Sequence, residues 1–214
     1  MYEVPGSRWA LLGDDGDTAG MALITEAKYG FSAQSGTIGL SLLRSAFVTD
    51  SEKHRAIRGL TNTSPYSDLG PHRIRGAVAA CHPQLPREEQ PAALAELLYA
   101  KPFAVNGKGA ESPFLGLEGG TSLIPVWVRP MEDGSFVVRL NETMGRRGRC
   151  RVRLAEGAEA RIEDLAGKPM EEVSFRDNEL AFRPYGLYGL LVYPAGWASR
   201  LRVCQLRELR SSLS

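Results

Sequence analysis

The carboxyl, imidazole and thiol side chains in this sequence are the groups that could carry chemistry, and their spacing assembles no catalytic set. Retaining hydrolysis of a glycoside needs two carboxyl groups about 5 to 5.5 Å apart, and the sequence singles out no such pair. Asp14, Asp15 and Asp17 stand between glycines, which is typical of a solvated turn. This cluster also lacks the ligand spacing of an EF-hand calcium loop. We therefore expect no catalytic residue in this chain.

The histidines and cysteines are few and widely spaced. The sequence has 3 His and 3 Cys, and no C-x-x-C pair. His72, Cys81 and His82 could approach one another at the end of a strand, which leaves a metal site open as an alternative. We predict structural roles for these side chains and no metal site.

A basic cluster runs from Arg146 to Arg153. In an extended strand Arg149, Arg151 and Arg153 share one face, while the other face carries the apolar residues between them. No aromatic residue interleaves to stack on bases, and the formal net charge of the chain is only +1. We predict a half-buried strand with a cationic outer face and no nucleic-acid partner.

The apolar run from Leu187 to Trp197 is broken by Gly and Pro. It is shorter than the roughly 20 residues of a membrane-spanning helix, so we predict a buried strand and no membrane contact. The first thirty residues carry no secretory signal pattern, which predicts a cytoplasmic location.

Most of the chain shows the side-chain alternation of β-strands, so strands must position the carboxyl, imidazole and thiol groups named above. Met21 and Leu23, and then Ile38, Leu40 and Leu42, recur at every second residue, as in strands with one face on a core. Helical spacing is nearly confined to residues 87–99. Glycines are dense between residues 103 and 122, so we predict a boundary near residue 104. Short strands follow, and Asp133-Gly134 favours a two-residue hairpin turn.

Three segments resemble the C-terminal β region of α-mannosidases of glycoside hydrolase family 38. The first segment is similar to the family phrase N-D-x-K-Y-G-F followed by L-x-L-S-L-L-R, and comprises Thr25–Phe31 and Ile38–Arg44. It has Glu26 in place of the family's Asp. Asp68–Ala77 resembles D-x-G-x-H-x-F-x-Y-A, and Cys81-His82-Pro83 falls near the family's P-H. Asp133–Gly148 resembles the closing segment R-L-x-E-x-x-G-R-x-G.

The resemblance implies an all-β fold with one short helix. Residues 1–103 would form part of a large β-sandwich of the galactose-mutarotase-like supersandwich type, and residues 104–214 a smaller antiparallel β-sandwich. In this family the zinc ligands, acid/base and nucleophile lie on an N-terminal barrel domain. We therefore expect a non-catalytic C-terminal part of an α-mannosidase, inactive alone, with no cofactor of its own and zinc only in the full enzyme.

The resemblance also nominates residues for contact with an α-mannoside or another carbohydrate. We predict that Arg44 closes the L-S-L-L-R strand, and the family resemblance implies an arginine near this point that reaches toward the active site. Lys28 and Tyr29 would line a cleft, and His72 belongs to the second motif. The alternatives are a surface ion pair for Arg44 and a structural role for the other three.

Two partner hypotheses follow from an incomplete sandwich. Strands that lack their neighbours leave edges and apolar faces bare, so we expect pairing with a separate barrel polypeptide or self-association. The rival hypothesis is a free-standing carbohydrate-binding or scaffold protein. Trp9, Trp127 and Trp197 could then stack on sugar rings, although we expect Trp127 to pack in the core.

Overall fold

The computed structural model describes residues 3–13, 19–45, 69–82, 84–101, 104, 106–107 and 112–196. The chain divides into two compact units. The first comprises Met1–His82 with Pro91–Lys101, and the second comprises Pro83–Gln90 with Pro102–Ser214. The domain boundary near residue 104 stays a prediction. The short segment 83–90 is part of the second unit.

The described residues of the first unit form two antiparallel sheets and a helix. Its strands are β1 (Val4–Pro5), β2 (Trp9–Leu12), β3 (Gly20–Thr25), β4 (Gly30–Gln34), β5 (Thr37–Leu40) and β6 (Gly76–Cys81). The sheet orders are β1-β4-β5 and β2-β3-β6. The helix α1 (Pro91–Tyr99) covers one face of the second sheet, where Ala22, Ile24, Cys81 and Ala95 form a buried cluster. The strands predicted within residues 20–44 are confirmed as β3, β4 and β5.

The predicted helix over residues 87–99 is two elements. A 3-10 turn spans Arg87–Glu89, and Gln90 is extended before α1 begins at Pro91. The residue before a proline is pushed out of the helical region, and proline has no amide hydrogen to continue the ladder. The proline therefore separates the turn from the helix.

The second unit is a β-sandwich. Its strands are β7 (Phe114–Glu118), β8 (Leu123–Pro130), β9 (Phe136–Glu142), β10 (Gly148–Leu154), β11 (Glu159–Glu163), β12 (Phe175–Arg176), β13 (Glu179–Phe182) and β14 (Leu187–Tyr193). They form two four-stranded antiparallel sheets, β12-β13-β10-β7 and β11-β14-β9-β8. Both sheets contribute to one core, in which Leu140, Val152, Leu180 and Leu190 are buried. The all-β class with one short helix is confirmed.

Strand β10 has the two faces that its alternation predicts. Cys150 and Val152 are buried in the core, and the arginines between them are exposed. Arg149 pairs with Glu179 on β13 at 2.6 Å, and Arg153 with Glu118 on β7 at 3.3 Å. The cationic face is thus partly balanced by the strands on either side of it.

The hairpin between β8 and β9 is one residue longer than predicted. The Gly134 amide donates to the Met131 carbonyl at 3.1 Å, and the Met131 amide to the Ser135 carbonyl at 2.8 Å. Gly134 has φ +83°. A three-residue loop that ends in a left-handed glycine is the next most common hairpin turn after the two-residue types.

Candidate functional site

A buried threonine shapes the turn that carries the first family motif. The Thr25 side chain is fully buried at the end of β3. Its hydroxyl accepts a hydrogen bond from the Lys28 amide at 3.0 Å and donates one to the Lys28 carbonyl at 3.2 Å. Next along the chain, the Tyr29 carbonyl accepts from the Gly6 amide at 2.8 Å. The turn is therefore held at its base while Tyr29 remains 57% exposed.

Glu26 on this turn forms an ion pair with the second family motif. The Arg75 guanidinium donates to both Glu26 carboxylate oxygens, at 2.8 and 2.6 Å, and to the Leu98 carbonyl of α1 at 2.8 Å. The hydrogen bond from Arg75 lowers the pKa of Glu26. The longer Glu, present where the family phrase has Asp, thus makes a two-pronged contact, a geometry for which arginine is suited.

Arg8 lies in a cluster with Glu96 and Tyr99. It donates to the Glu96 carboxylate, and its guanidinium carbon lies 5.0 Å from the centre of the Tyr99 ring. The hydrogen bond with Glu96 raises the pKa of Arg8, with smaller contributions from the Tyr29 and Tyr99 hydroxyls. Arg8 Nη1 is buried and finds no hydrogen-bond partner among the residues that the structure describes. Tyr29 and Tyr99 are both more than half exposed, so the surface here presents phenol rings beside an ion pair.

The four predicted contact residues lie on three segments of the first unit. Lys28 and Tyr29 share the Thr25-anchored turn, with Lys28 half-buried. Arg44 is exposed, and β5 ends at Leu40, so the prediction that Arg44 closes a strand is wrong. His72 is exposed in the irregular segment before β6. Whether any of them contacts a carbohydrate stays a prediction.

The third family motif is built of residues that anchor turns. The Glu142 side chain is 1% exposed. Its carboxylate accepts backbone hydrogen bonds from Met144 at 3.0 Å, Gly145 at 2.9 Å and Tyr185 at 2.8 Å. Burial on its own raises the pKa of Glu142, but the hydrogen bonds outweigh it and the net shift is downward. A carboxylate saturated by amides in this way is a structural anion.

Arg139 in the same motif anchors a different turn. Its guanidinium donates to the Asp164 carbonyl at 2.7 Å and the Leu165 carbonyl at 3.1 Å, and lies 3.9 Å from the Glu163 carboxylate. Asp164 accepts the amides of Ala166 and Lys168, both at 2.8 Å, and these bonds lower its pKa. The charged residues of the third motif therefore stabilise the second unit.

Arg87 has an anchoring role that its neighbours in the sequence do not indicate. Its guanidinium holds the segment 83–90 on the second unit through a set of backbone carbonyls and one thiol. The acceptors are Leu123 O at 2.7 Å, Leu117 O at 2.8 Å, Gly119 O, Gly120 O at 3.2 Å and Cys150 Sγ at 3.7 Å. In the sequence Arg87 stands between proline and two glutamates, so it has the appearance of a solvated residue.

Trp127 differs from its prediction. It lies on the edge strand β8 and is 48% exposed, with the Arg129 guanidinium carbon 5.9 Å from its ring centre. Register with β9 shifts between Pro125 and Trp127. Val126 and Val128 on either side of Trp127 are exposed as well, so both faces of this part of the edge strand are in solvent, and side-chain alternation in the sequence did not predict this.

Within the described residues, no group of three or more His, Cys, Asp or Glu side chains is placed to hold a metal ion. Cys81 at the end of β6 is buried, and burial raises the pKa of its thiol.

In the same described part of the chain, no helix is long and apolar enough to cross a membrane.

A groove of about 520 Å³ opens in the second unit between β11 and the segment 169–176. Met170, Val173 and Phe175 give it an apolar part, and Arg161 and Arg176 are also at its wall. None of the residues nominated for carbohydrate contact lines this groove.

Comparison with known proteins supports the resemblance over part of the chain. Residues 1–52 match the family described as Glycosyl hydrolases family 38 C-terminal domain. No curated protein matches the chain. The matched residues include the Thr25-anchored turn, β5 and Arg44, and they exclude the segments that resemble the second and third motifs. Over these 52 residues the chain is similar to the C-terminal domain of family 38 glycosyl hydrolases.

Proposed function

We propose that this chain is the non-catalytic C-terminal part of an α-mannosidase-like glycoside hydrolase, and that its first unit contacts the carbohydrate. The observation that carries the proposal is the Thr25-anchored turn, which lies inside the matched residues and presents Tyr29 to solvent. The backbone under the phenol is fixed before a ligand arrives, so no backbone entropy of this turn has to be lost on binding.

The chemistry of this surface suits a sugar. The exposed phenol rings of Tyr29 and Tyr99 offer apolar area to a pyranose face together with a hydroxyl for hydrogen bonding. Arg8 and Glu96 provide a charged donor and acceptor beside them. Lys28 adds a cationic donor on the same turn, and Arg44 and His72, on two other segments of the first unit, complete the set nominated from the sequence.

Calorimetric titration of the chain with α-mannose oligosaccharides tests the carbohydrate contact. Tyr29→Ala should weaken binding, because it removes the exposed ring and leaves the backbone anchor at Thr25 in place. Tyr185→Ala is the matched control, since Tyr185 is an exposed tyrosine of the second unit. Equal binding by Tyr29→Ala and the unsubstituted chain would rule out this turn as the contact.

Hydrolysis provides the second test. The purified chain with added zinc should not release product from an aryl α-mannoside, whereas co-expression with a family 38 barrel polypeptide should restore turnover. Arg44→Ala should then lower kcat/KM while circular dichroism shows an intact fold. Turnover by the isolated chain would overturn the proposal.

One observation favours a second candidate, a carbohydrate-binding protein that acts without a barrel domain. The half-exposed indole of Trp127 on β8 is a planar platform of the kind that stacks on sugars. Binding that is lost in Trp127→Ala and kept in Tyr29→Ala would support this alternative.

A further inference from the structure

Strand β6 lies at the edge of its sheet among the described strands, and most of its residues are exposed. In the sheet β2-β3-β6 it pairs only with β3 among the described strands. Val78 is 66% exposed, and four of its five neighbours along the strand are exposed or half-buried. The backbone groups on the outer side of β6 therefore lack a strand partner within the described residues.

This edge carries none of the features by which proteins protect an open strand. Its sequence Gly-Ala-Val-Ala-Ala-Cys has no charge and no proline, and its six-residue register with β3 has no bulge. Charged side chains, prolines and bulges are the usual protection against pairing with another chain.

The open edge β8 of the second unit shows the contrast. It contains Pro125, Pro130 and Arg129, and its register with β9 is irregular after Pro125. Edge strands β2 and β5 are also uncharged, but each has only four residues and is less exposed than β6. Among the described edges, β6 is the long, regular and exposed one without charge.

One face of this sheet also has no covering element among those that the structure describes. Helix α1 packs on the side of Ala22 and Ile24, so the residues that alternate with them face away from it. Met21 and Leu23 pair across the sheet with Ala80 and Val78 on this other face. Met21 is 41% exposed, and the face has no charged side chain at these four positions.

We propose that β6 is a self-association edge, at which two copies of this chain pair antiparallel about a two-fold axis. A second copy fits because the edge meets an identical uncharged edge, so no like charges oppose each other and backbone donors meet backbone acceptors. With the axis perpendicular to the sheet, the uncovered faces of both copies lie on the same side. The product is a six-stranded sheet with a doubled apolar face.

Sedimentation equilibrium of the full chain tests this proposal. The unsubstituted chain should reach twice its mass of 23.4 kDa with increasing concentration. Val78→Lys should weaken the dimer about tenfold or more, because it brings like charges together near the two-fold axis. Val78 is mostly exposed, so equal unfolding midpoints should show that the monomer fold is kept. Val128→Lys on β8 is the matched control, with another exposed valine on an edge strand, and should leave the dimer unchanged.

Hydrogen exchange provides a second readout, since the outward amides of β6 should exchange more slowly as the dimer forms. A chain that stays monomeric up to its solubility limit would overturn the proposal. A dimer that survives Val78→Lys, or that dissociates in Val128→Lys instead, would overturn it equally.

Discussion

The Glu142 carboxylate accepts a 2.8 Å hydrogen bond from the backbone amide of Tyr185, 43 residues further along the chain. The same carboxylate binds the amides of its own loop, so one buried side chain fixes two loops of the second unit. Tyr185 has φ +55° and Gly145 has φ +71°. The carboxylate thus holds together two backbone segments that each contain a left-handed residue, at a conformational cost for the tyrosine.

Glu142→Gln should destabilise the chain by about 2 to 3 kcal/mol, because the amide that replaces one carboxylate oxygen turns a donor toward backbone donors. Denaturant unfolding with an unchanged slope measures the change. Glu132→Gln, at an exposed glutamate of the β8–β9 turn, should be close to neutral. A Glu142→Gln chain as stable as the unsubstituted one would show that the carboxylate does not hold the loops.

Stability should also fall in acid through Glu142. Its pKa in the folded chain is lowered from the ordinary value, so its contribution is present above the unfolded pKa of about 4.3 and is lost as pH falls through the folded pKa. The unfolding free energy measured between neutral pH and pH 3 should decline less steeply in Glu142→Gln. Parallel pH curves for the two chains would contradict this assignment.

Gly189→Ala should cost about 2 to 3 kcal/mol, because the added carbon has no room. Gly189 lies in β14 between β9 and β11, and its Cβ would meet Arg139 Nη1 and come within 2.7 Å of Glu163 Cγ. Gly107→Ala, where the added carbon meets nothing within 4 Å, is the matched control. Thermal unfolding of both variants checks the difference, and equal midpoints would mean that the ion pair moves aside freely.

Arg87→Ala should destabilise the second unit by about 2 to 4 kcal/mol, since several partly buried carbonyls lose a charged donor. Arg87→Lys should recover only part of the loss, because the ammonium group cannot reproduce the planar fork. Arg147→Ala, at an exposed arginine, serves as the control. Limited proteolysis should cut the segment 83–90 faster in Arg87→Ala, and unchanged cleavage would argue against an anchoring role.

The thiols of Cys81 and Cys150 should resist alkylation in the folded chain. Both are buried, and burial raises the pKa of each thiol, so the reactive thiolate is scarce at neutral pH. Peptide mass spectrometry after iodoacetamide treatment, with and without denaturant, checks this. Rapid labelling of either cysteine without denaturant would contradict the buried positions.

The strand pattern of the chain was accessible from its sequence because alternation is a local property. Strand β14 (Leu187–Tyr193) lies within the apolar run from Leu187 to Trp197 that predicted a buried strand, and the buried face of β10 is the predicted one. The sequence predictions fail at positions where a feature other than side-chain periodicity determines the structure. Pro91 divides the predicted helix, and Trp127 lies on the part of the edge strand β8 that is exposed on both faces.

The candidate site was accessible only in part. Motif resemblance nominated the turn with Lys28 and Tyr29, and the family match covers that turn. The motif resemblance did not indicate Arg8, whose partners Glu96 and Tyr99 are about ninety residues further along the chain. It placed Arg44 at the end of a strand, but β5 stops four residues earlier.

The sequence by itself determined that this chain is built of strands and that its first 52 residues carry a family 38 pattern, because side-chain alternation and short motifs are written in neighbouring residues. Only the tertiary structure decided what the charged residues do. Glu142 and Arg139 bind turn backbones, Arg87 binds a set of carbonyls, and β6 has no outer strand partner in the part of the chain that the structure describes. These outcomes depend on groups brought together from distant parts of the chain, where hydrogen-bond geometry and burial, rather than local spacing, select the partner.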